Sequence, residues 1–199
     1  MNTLIAGLLA YLIGSVSFAV VVSRAYGLAD PRTYGSKNPG ATNVLRSGKK
    51  SAAVLTLLGD AVKGWLAVFL VQWFGPRYGV GEAGVALVAI AVFLGHLFPV
   101  FFKFVGGKGV ATALGVFLAL AWPVGAACIV TWLVTAAISR LSSLAALFAM
   151  ALAPVFAYLW GTGELLLFAT IIAGLVIAKH HGNIRRIVKG EEPRIGSPA

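Results

Sequence analysis

Residues Ala83–Gly109 read AGVALVAIAVFLGHLFPVFFKFVGGKG, and this stretch decides the fold. Up to Phe102 it holds no Asp, Glu, Lys or Arg. A helix rises 1.5 Å per residue, so about 20 such residues cross the hydrocarbon core of a bilayer. The run therefore reads as a membrane span. A polar break follows, from Lys103 through Val105-Gly106-Gly107-Lys108-Gly109, and a second apolar run starts at Val110. A lysine among glycines at a membrane boundary suits a phosphate cradle. Glycine lets backbone N–H groups approach an oxyanion, the next helix offers unpaired donors at its start, and lysine adds a point charge. A tight turn with a snorkelling lysine fits the same residues equally well when the segment is taken alone.

The same pattern recurs along the chain. Of its 199 residues, 59% are hydrophobic and 11% charged, and mean hydropathy is +0.92. This composition belongs to a polytopic helical membrane protein, with one membrane domain over 1–199. Apolar runs fall at 3–22, 52–73, 83–102, 109–121, 122–138, 141–160 and 164–178. We expect an all-α protein with seven transmembrane helices. The count drops to six if the short fourth run is a half-helix or a re-entrant segment. Trp122-Pro123 marks a turn at the membrane face between the fourth and fifth runs. No basic residue precedes the first run and no small-residue cleavage site follows it, so it reads as a retained helix.

Orientation follows from the basic residues. With the N-terminus outside, segments 24–50, 103–108, 140 and 179–194 face the cytoplasm and hold fourteen of the sixteen Lys and Arg. The outer loops hold Arg77 alone, and Lys63 lies within the second run. This asymmetry obeys the positive-inside rule and places the C-terminus in the cytoplasm. It also accounts for the net charge of +10 without nucleic acid, and it suits anionic lipids and phosphorylated substrates. Cys128 is the only cysteine, so no disulfide closes within the chain, and with three histidines a zinc site is not expected.

Three polar clusters share the basic side. The first is Tyr34-Gly35-Ser36-Lys37-Asn38-Pro39-Gly40-Ala41-Thr42-Asn43, with Arg46. Asn-Pro-Gly signals a turn, and Ser36, Lys37 and Arg46 suit a phosphate. Lys49 and Lys50 read as ordinary positive-inside charges. The second cluster is the glycine loop of Gly106, Gly107, Lys108 and Gly109. It lacks the spacing of a nucleotide P-loop, which excludes ATP hydrolysis but not phosphate binding. Thr112, one turn on, either adds a hydroxyl to the site or bonds its own helix. The third is Lys179-His180-His181-Gly182-Asn183-Ile184-Arg185-Arg186. His180 and Asn183 are three apart and share a helical face. His180 suits a base, acid or donor, and Asn183 suits a hydroxyl or phosphate oxygen. His181 and His96 read as structural. Asp60 and Lys63, three apart within the second run, read as a buried structural pair below the site.

Taken together, these strings resemble the bacterial membrane family of acyl-phosphate:glycerol-3-phosphate acyltransferases. The strings are Gly35-Ser-Lys-Asn-Pro-Gly-Ala-Thr-Asn43 with Arg46, Gly106-Gly-Lys-Gly109 with Ala111-Thr112, and His180-x-x-Asn183-Ile184 with Gly190-x-Glu192. The resemblance covers nearly the whole chain. It implies transfer of a fatty acyl group from acyl phosphate to the 1-hydroxyl of glycerol 3-phosphate, giving lysophosphatidic acid and inorganic phosphate. It implies no cofactor, no metal and no direct use of acyl-CoA. It implies that Ser36, Arg46, Lys108, His180 and Asn183 bind or act on substrate, that the glycines hold a phosphate and that Glu192 supports the structure. The expected location is the bacterial inner membrane with the site facing the cytoplasm, in a chain acting as a monomer among lipid.

Two rival acyl- and phospho-transferase patterns are absent. No histidine is followed by aspartate at His-x4-Asp spacing, and the only aspartates are Asp30 and Asp60. An organic-phosphate transporter is the alternative reading, but it would place its site near the midplane between repeated halves.

Overall fold

The computed structural model describes residues 1–197. Among these the chain forms ten α-helices: α1 (Asn2–Gly14), α2 (Phe18–Ala25), α3 (Ala41–Leu45), α4 (Lys50–Phe74), α5 (Glu82–Leu97), α6 (Val110–Leu120), α7 (Trp122–Ser139), α8 (Ser142–Trp160), α9 (Gly163–Lys179) and α10 (His181–Val188). Single 3-10 turns follow α4 (Gly75–Tyr78) and α5 (Val100–Phe102). Four segments are each long and apolar enough to cross a membrane: α4 and α5, each with the 3-10 turn that follows it, and α7 and α8. The bent pairs α1–α2 and α9–α10 bring the candidates to six, and α6 is shorter than a full span.

The first apolar run is thus not one straight helix. It breaks at Ser15-Val16-Ser17 and turns by 42°. A break at membrane depth frees backbone carbonyls that need a donor. Lys63 supplies one: its Nζ donates to the Val16 carbonyl at 2.7 Å. The same ammonium lies 2.7 Å from Asp60 Oδ1, with both side chains 3% exposed. The pair thus ties α4 to the bend between α1 and α2. Its partners offset part of the desolvation cost that a lone buried charge would carry.

The helices pack as neighbouring pairs: α1 on α5, α4 on α6, α7 on α8 and α8 on α9. Phe93, Phe117, Met150 and Ile172 are fully buried between them, and Phe117 meets Phe168 edge-on with ring centroids 5.6 Å apart. Small residues let backbones approach where lipid supplies no hydrophobic drive. On α4, Gly64 faces the Thr112 backbone, and on α6, Gly115 faces the Ala61 backbone; a methyl at either would collide with main chain. Leu8, Ile138 and Tyr158 are exposed on the outer surface of the bundle, as lipid-facing side chains are.

The bundle has two unlike ends. At one, Asn2 Nδ2 donates to the Tyr78 carbonyl at 2.8 Å. A dent there is bordered by Gln72, Gly81, Glu82, Ala121, Gly161 and Glu164. At the other end, Thr42 and Ser142 hydroxyls meet at 2.9 Å, and Ile195 N–H donates to the Arg140 carbonyl at 2.8 Å. The three polar clusters, separated by up to about 150 positions in sequence, all lie at this second end.

Candidate functional site

The glycine loop emerges from α5 through a distorted backbone. Lys103 and Phe104 both hold positive φ, 55° and 61°, a conformation that costs a residue with a side chain. Gly109 at φ 84° then caps α6 without that cost. Between them, Gly107 N–H donates to the His96 carbonyl at 3.2 Å, which folds the loop back over the end of α5. Lys108 follows directly and points toward α10, where its Nζ donates to Asn183 Oδ1.

Asn183 is fixed from behind. Its Nδ2 donates to Glu192 Oε1 at 2.5 Å. Ser143 Oγ donates to the same oxygen at 2.6 Å, and Arg186 Nε donates to Glu192 Oε2 at 2.7 Å. One carboxylate therefore joins α8, α10 and the C-terminal segment. Burial pushes the Glu192 carboxyl up, but the hydrogen bonds from Ser143, Asn183 and Arg186 and the Arg186 charge outweigh it and hold the group below its ordinary range. Glu192 is thus a fixed negative charge two hydrogen bonds from Lys108.

Lys108 itself is brought down to about 8. Burial is the main cause; the Glu192 charge opposes it, and the charges of Arg186 and Arg46 add to it. Arg46, at the end of α3, packs its Cδ 3.2 Å from the space beside Gly35. Arg186 is joined to Lys108 through Glu192 and Asn183, and the Arg46 charge also bears on Lys108. Lys108, Arg186 and Arg46, with Glu192 the only carboxylate bonded among them in the described residues, make a strong attractor for a phosphate.

His180 sits at the α9–α10 junction, 3% exposed. Its Nδ1 lies 2.7 Å from the Val176 carbonyl. A carbonyl only accepts, so Nδ1 carries the proton and Nε2 keeps a bare lone pair. Burial, and then the Lys108 charge, push the ring down to about 4, against the Val176 bond and the Glu192 charge. His180 is therefore neutral near pH 7 and acts as a hydrogen-bond acceptor. His181 is exposed, and its ring bonds only back to the last turn of α9, through the Ala178 carbonyl.

The first cluster forms a loop held by Asn43. That side chain, 2% exposed, donates to the Pro31 carbonyl at 2.6 Å and to the Tyr34 carbonyl at 3.2 Å, and accepts from Ser36 N–H at 3.0 Å. Ser36 and Lys37 stand exposed on its rim, and Lys37 adopts φ 54°. Sequence alone marked the string but not Asn43 as its clamp. An asparagine in the first turn of a short helix after Asn-Pro-Gly is the signal that was there to read. The partnership of Ser143 with Glu192 had no sequence signal, because 49 positions separate the two.

The substrate-binding expectation for Thr112 gives way to a packing role. Thr112 is fully buried and its hydroxyl donates to the Asp60 carbonyl at 2.9 Å. Its one hydrogen is spent holding α6 to α4. The hydroxyl does not bond its own helix either, which was the other option.

Comparison with known proteins shows which family the chain resembles in sequence and fold. A family model described as glycerol-3-phosphate acyltransferase matches residues 4–190. The glycerol-3-phosphate acyltransferase of Janthinobacterium sp. (strain Marseille) is 63% identical over 198 residues, covering 99% of this chain and 98% of that protein. That of Ralstonia pickettii (strain 12J) is 62% identical over 199 residues, covering 98% and 94%. Two crystal structures of PlsY, an integral membrane glycerol 3-phosphate acyltransferase, share the fold. The glycerol 3-phosphate form gives a TM-score of 0.90 at 36% identity, covering 98% of this chain and 96% of that one. The lysophosphatidic acid form gives 0.87 at 35%, covering 98% and 95%.

Proposed function

The chain belongs to the glycerol-3-phosphate acyltransferase family, and from that premise we propose how its own residues perform the transfer. The acceptor is glycerol 3-phosphate and the donor an acyl phosphate. The 1-hydroxyl oxygen attacks the acyl carbonyl carbon, the bond from that carbon to the phosphate oxygen breaks, and inorganic phosphate leaves with the electron pair. The donor is already activated, so the remaining work is orientation and stabilisation of charge on the carbonyl and the departing phosphate.

The convergence of Lys108, Asn183, Arg46 and His180 at one end of the bundle carries this reading. Lys108, Arg46 and the amides of Gly106 and Gly109 take phosphate oxygens, with Ser36 and Lys37 closing the rim and Gly107, whose N–H is given to the His96 carbonyl, shaping the loop. Asn183 orients Lys108. His180 orients the attacking hydroxyl through its bare Nε2; a ring held near 4 is a weak base, so a substrate phosphate oxygen takes the proton. Glu192 and the Asp60–Lys63 pair support the site, and Thr112 locks α6 in place.

The topology follows the same end. Seven crossings, with α1–α2 and α9 as bent or short spans and α6 as a half-length one, return the chain to the basic end after every second helix. The positive-inside rule makes that end cytoplasmic and the N-terminus external, in a bacterial inner membrane. The proposed working unit is a single chain, whose own helices close on one another through small residues such as Gly64 and Gly115.

Purified protein in lipid, given radiolabelled glycerol 3-phosphate with either palmitoyl phosphate or palmitoyl-CoA, tests the assignment. Labelled lysophosphatidate should form from the acyl phosphate and disappear in Lys108→Ala. Product from palmitoyl-CoA alone would overturn the donor, and saturable binding without any product would favour the transporter alternative.

A further inference from the structure

His96 is the one buried titratable group beside the glycine loop that the proposed transfer leaves without a task. It sits in the last turn of α5 and is 8% exposed. Its backbone carbonyl accepts from Gly107 N–H. Its ring has two distinct edges. Nδ1 lies 3.2 Å from Thr112 Oγ1 and 3.6 Å from Asp60 Oδ1. The single Thr112 hydrogen is already given to the Asp60 carbonyl, so toward His96 that oxygen accepts. The Asp60 carboxylate accepts as well. Both neighbours of Nδ1 therefore call for a proton on Nδ1, and the neutral ring keeps its lone pair on Nε2.

Nε2 points the other way, at the glycine loop. A methyl placed on Gly107 would run into it, and the Pro39 carbonyl oxygen lies 3.1 Å from that same point. Among the described residues no protein group hydrogen-bonds Nε2. Gly107, His96 and Pro39 thus meet where the first and second clusters join, and two acceptors, Nε2 and the Pro39 oxygen, face that junction. A phosphate oxygen does not fit there, because it also accepts. A hydroxyl does.

The geometry points to His96 as a specificity residue whose Nε2 accepts a hydrogen bond from the non-reacting 2-hydroxyl of glycerol 3-phosphate. This rests on the acyltransferase reading above, in which His180 faces the attacking 1-hydroxyl and the cations hold the phosphate. Glycerol 3-phosphate has two hydroxyls, and the site offers two imidazole nitrogens with bare lone pairs. Gly107 is glycine because a Cβ there would collide with the His96 ring.

The test compares glycerol 3-phosphate with 3-hydroxypropyl phosphate, which lacks the 2-hydroxyl, in the full-length parent, His96→Asn and His96→Gln. The asparagine amide nitrogen stands where Nδ1 does and keeps the bond to Thr112, but leaves nothing at Nε2. The parent should prefer glycerol 3-phosphate by about 10- to 100-fold in kcat/KM. His96→Asn should lose most of that preference by falling on glycerol 3-phosphate alone, with its melting temperature and its KM for acyl phosphate near the parent's. His96→Gln, whose amide oxygen reaches the Nε2 position, should restore part of the preference. A parent with no preference, an undiminished preference in His96→Asn, or an equal fall on both acceptors in both variants would each overturn the assignment. Failure of the acyltransferase reading itself is distinct: the parent would make no product from either acceptor.

Discussion

Raising the pH should switch off phosphate capture through Lys108 alone. The buried ammonium is held down to about 8, chiefly by desolvation and secondarily by the charges of Arg186 and Arg46. A lysine with a depressed value is cationic below it and neutral above it, so the attractor is present at pH 7 and is lost as pH rises through 8. At pH 7 about nine-tenths of the enzyme carries the Lys108 charge, and at pH 9 about one-tenth does. The ratio kcat/KM reports groups of the free enzyme, so for glycerol 3-phosphate it should fall about tenfold between pH 7 and 9. The limb must belong to Lys108 and not to the substrate or the detergent. Lys108→Arg separates these, because guanidinium stays charged throughout. That variant is expected to be slower at every pH, since a planar fork cannot reproduce the contact to Asn183, but its profile should stay flat to pH 9. Initial rates with palmitoyl phosphate and labelled glycerol 3-phosphate across pH 6.5–9.5, in an overlapping buffer series (about half-unit steps), measure both curves. An alkaline limb that persists unchanged in Lys108→Arg, or a parent profile flat to pH 9.5, would refute the argument.

Glu192→Gln should destabilise the protein and displace the same limb. Three donors, from Ser143, Asn183 and Arg186, lose an ionised acceptor. With charge-assisted bonds each worth about 1.5–3 kcal/mol and the Arg186 side discounted because that side chain is 39% exposed, a loss of about 2–4 kcal/mol is expected in a thermal or denaturant melt. The Glu192 charge is what holds Lys108 up, so the alkaline limb should move to lower pH; an unmoved limb would separate Glu192 from Lys108. Asn43→Ala removes the clamp on 31–36 and should raise the KM for glycerol 3-phosphate severalfold while costing about 1–3 kcal/mol of stability. An unchanged KM would show that the loop's shape does not matter to binding.

The architecture was legible in the sequence to the extent that it is a matter of solvent. A bilayer admits long apolar helices and little else, so composition and run length define the class and nearly all the helices. Basic residues likewise partition to one end by electrostatics that operate segment by segment, and the three clusters could be assigned to one side before any packing was known. The bend at Ser15-Val16-Ser17 was not legible, because the residues around it are as apolar as those of an unbroken span. It depends on Lys63, from another helix, reaching the Val16 carbonyl.

The site divides along the same line. Lys108, Arg46, His180 and Asn183 stood out as residue types that cost free energy at a membrane face and so call for a purpose. What each one does depends on neighbours remote in the chain. Thr112 turned from candidate ligand to helix lock because Asp60 on α4 offers a carbonyl. His180 became a neutral acceptor because the Val176 carbonyl accepts from its Nδ1–H, while burial and then the Lys108 charge oppose a second proton. His96, structural by its place in an apolar run, keeps an Nε2 without a protein partner among the described residues because the residue folded against it, Gly107, brings no polar side chain. Residue type and burial tendency are properties of the sequence. Protonation, tautomer and the direction of a lone pair are set by charges and carbonyls a few ångströms away, and only the folded chain decides which those are.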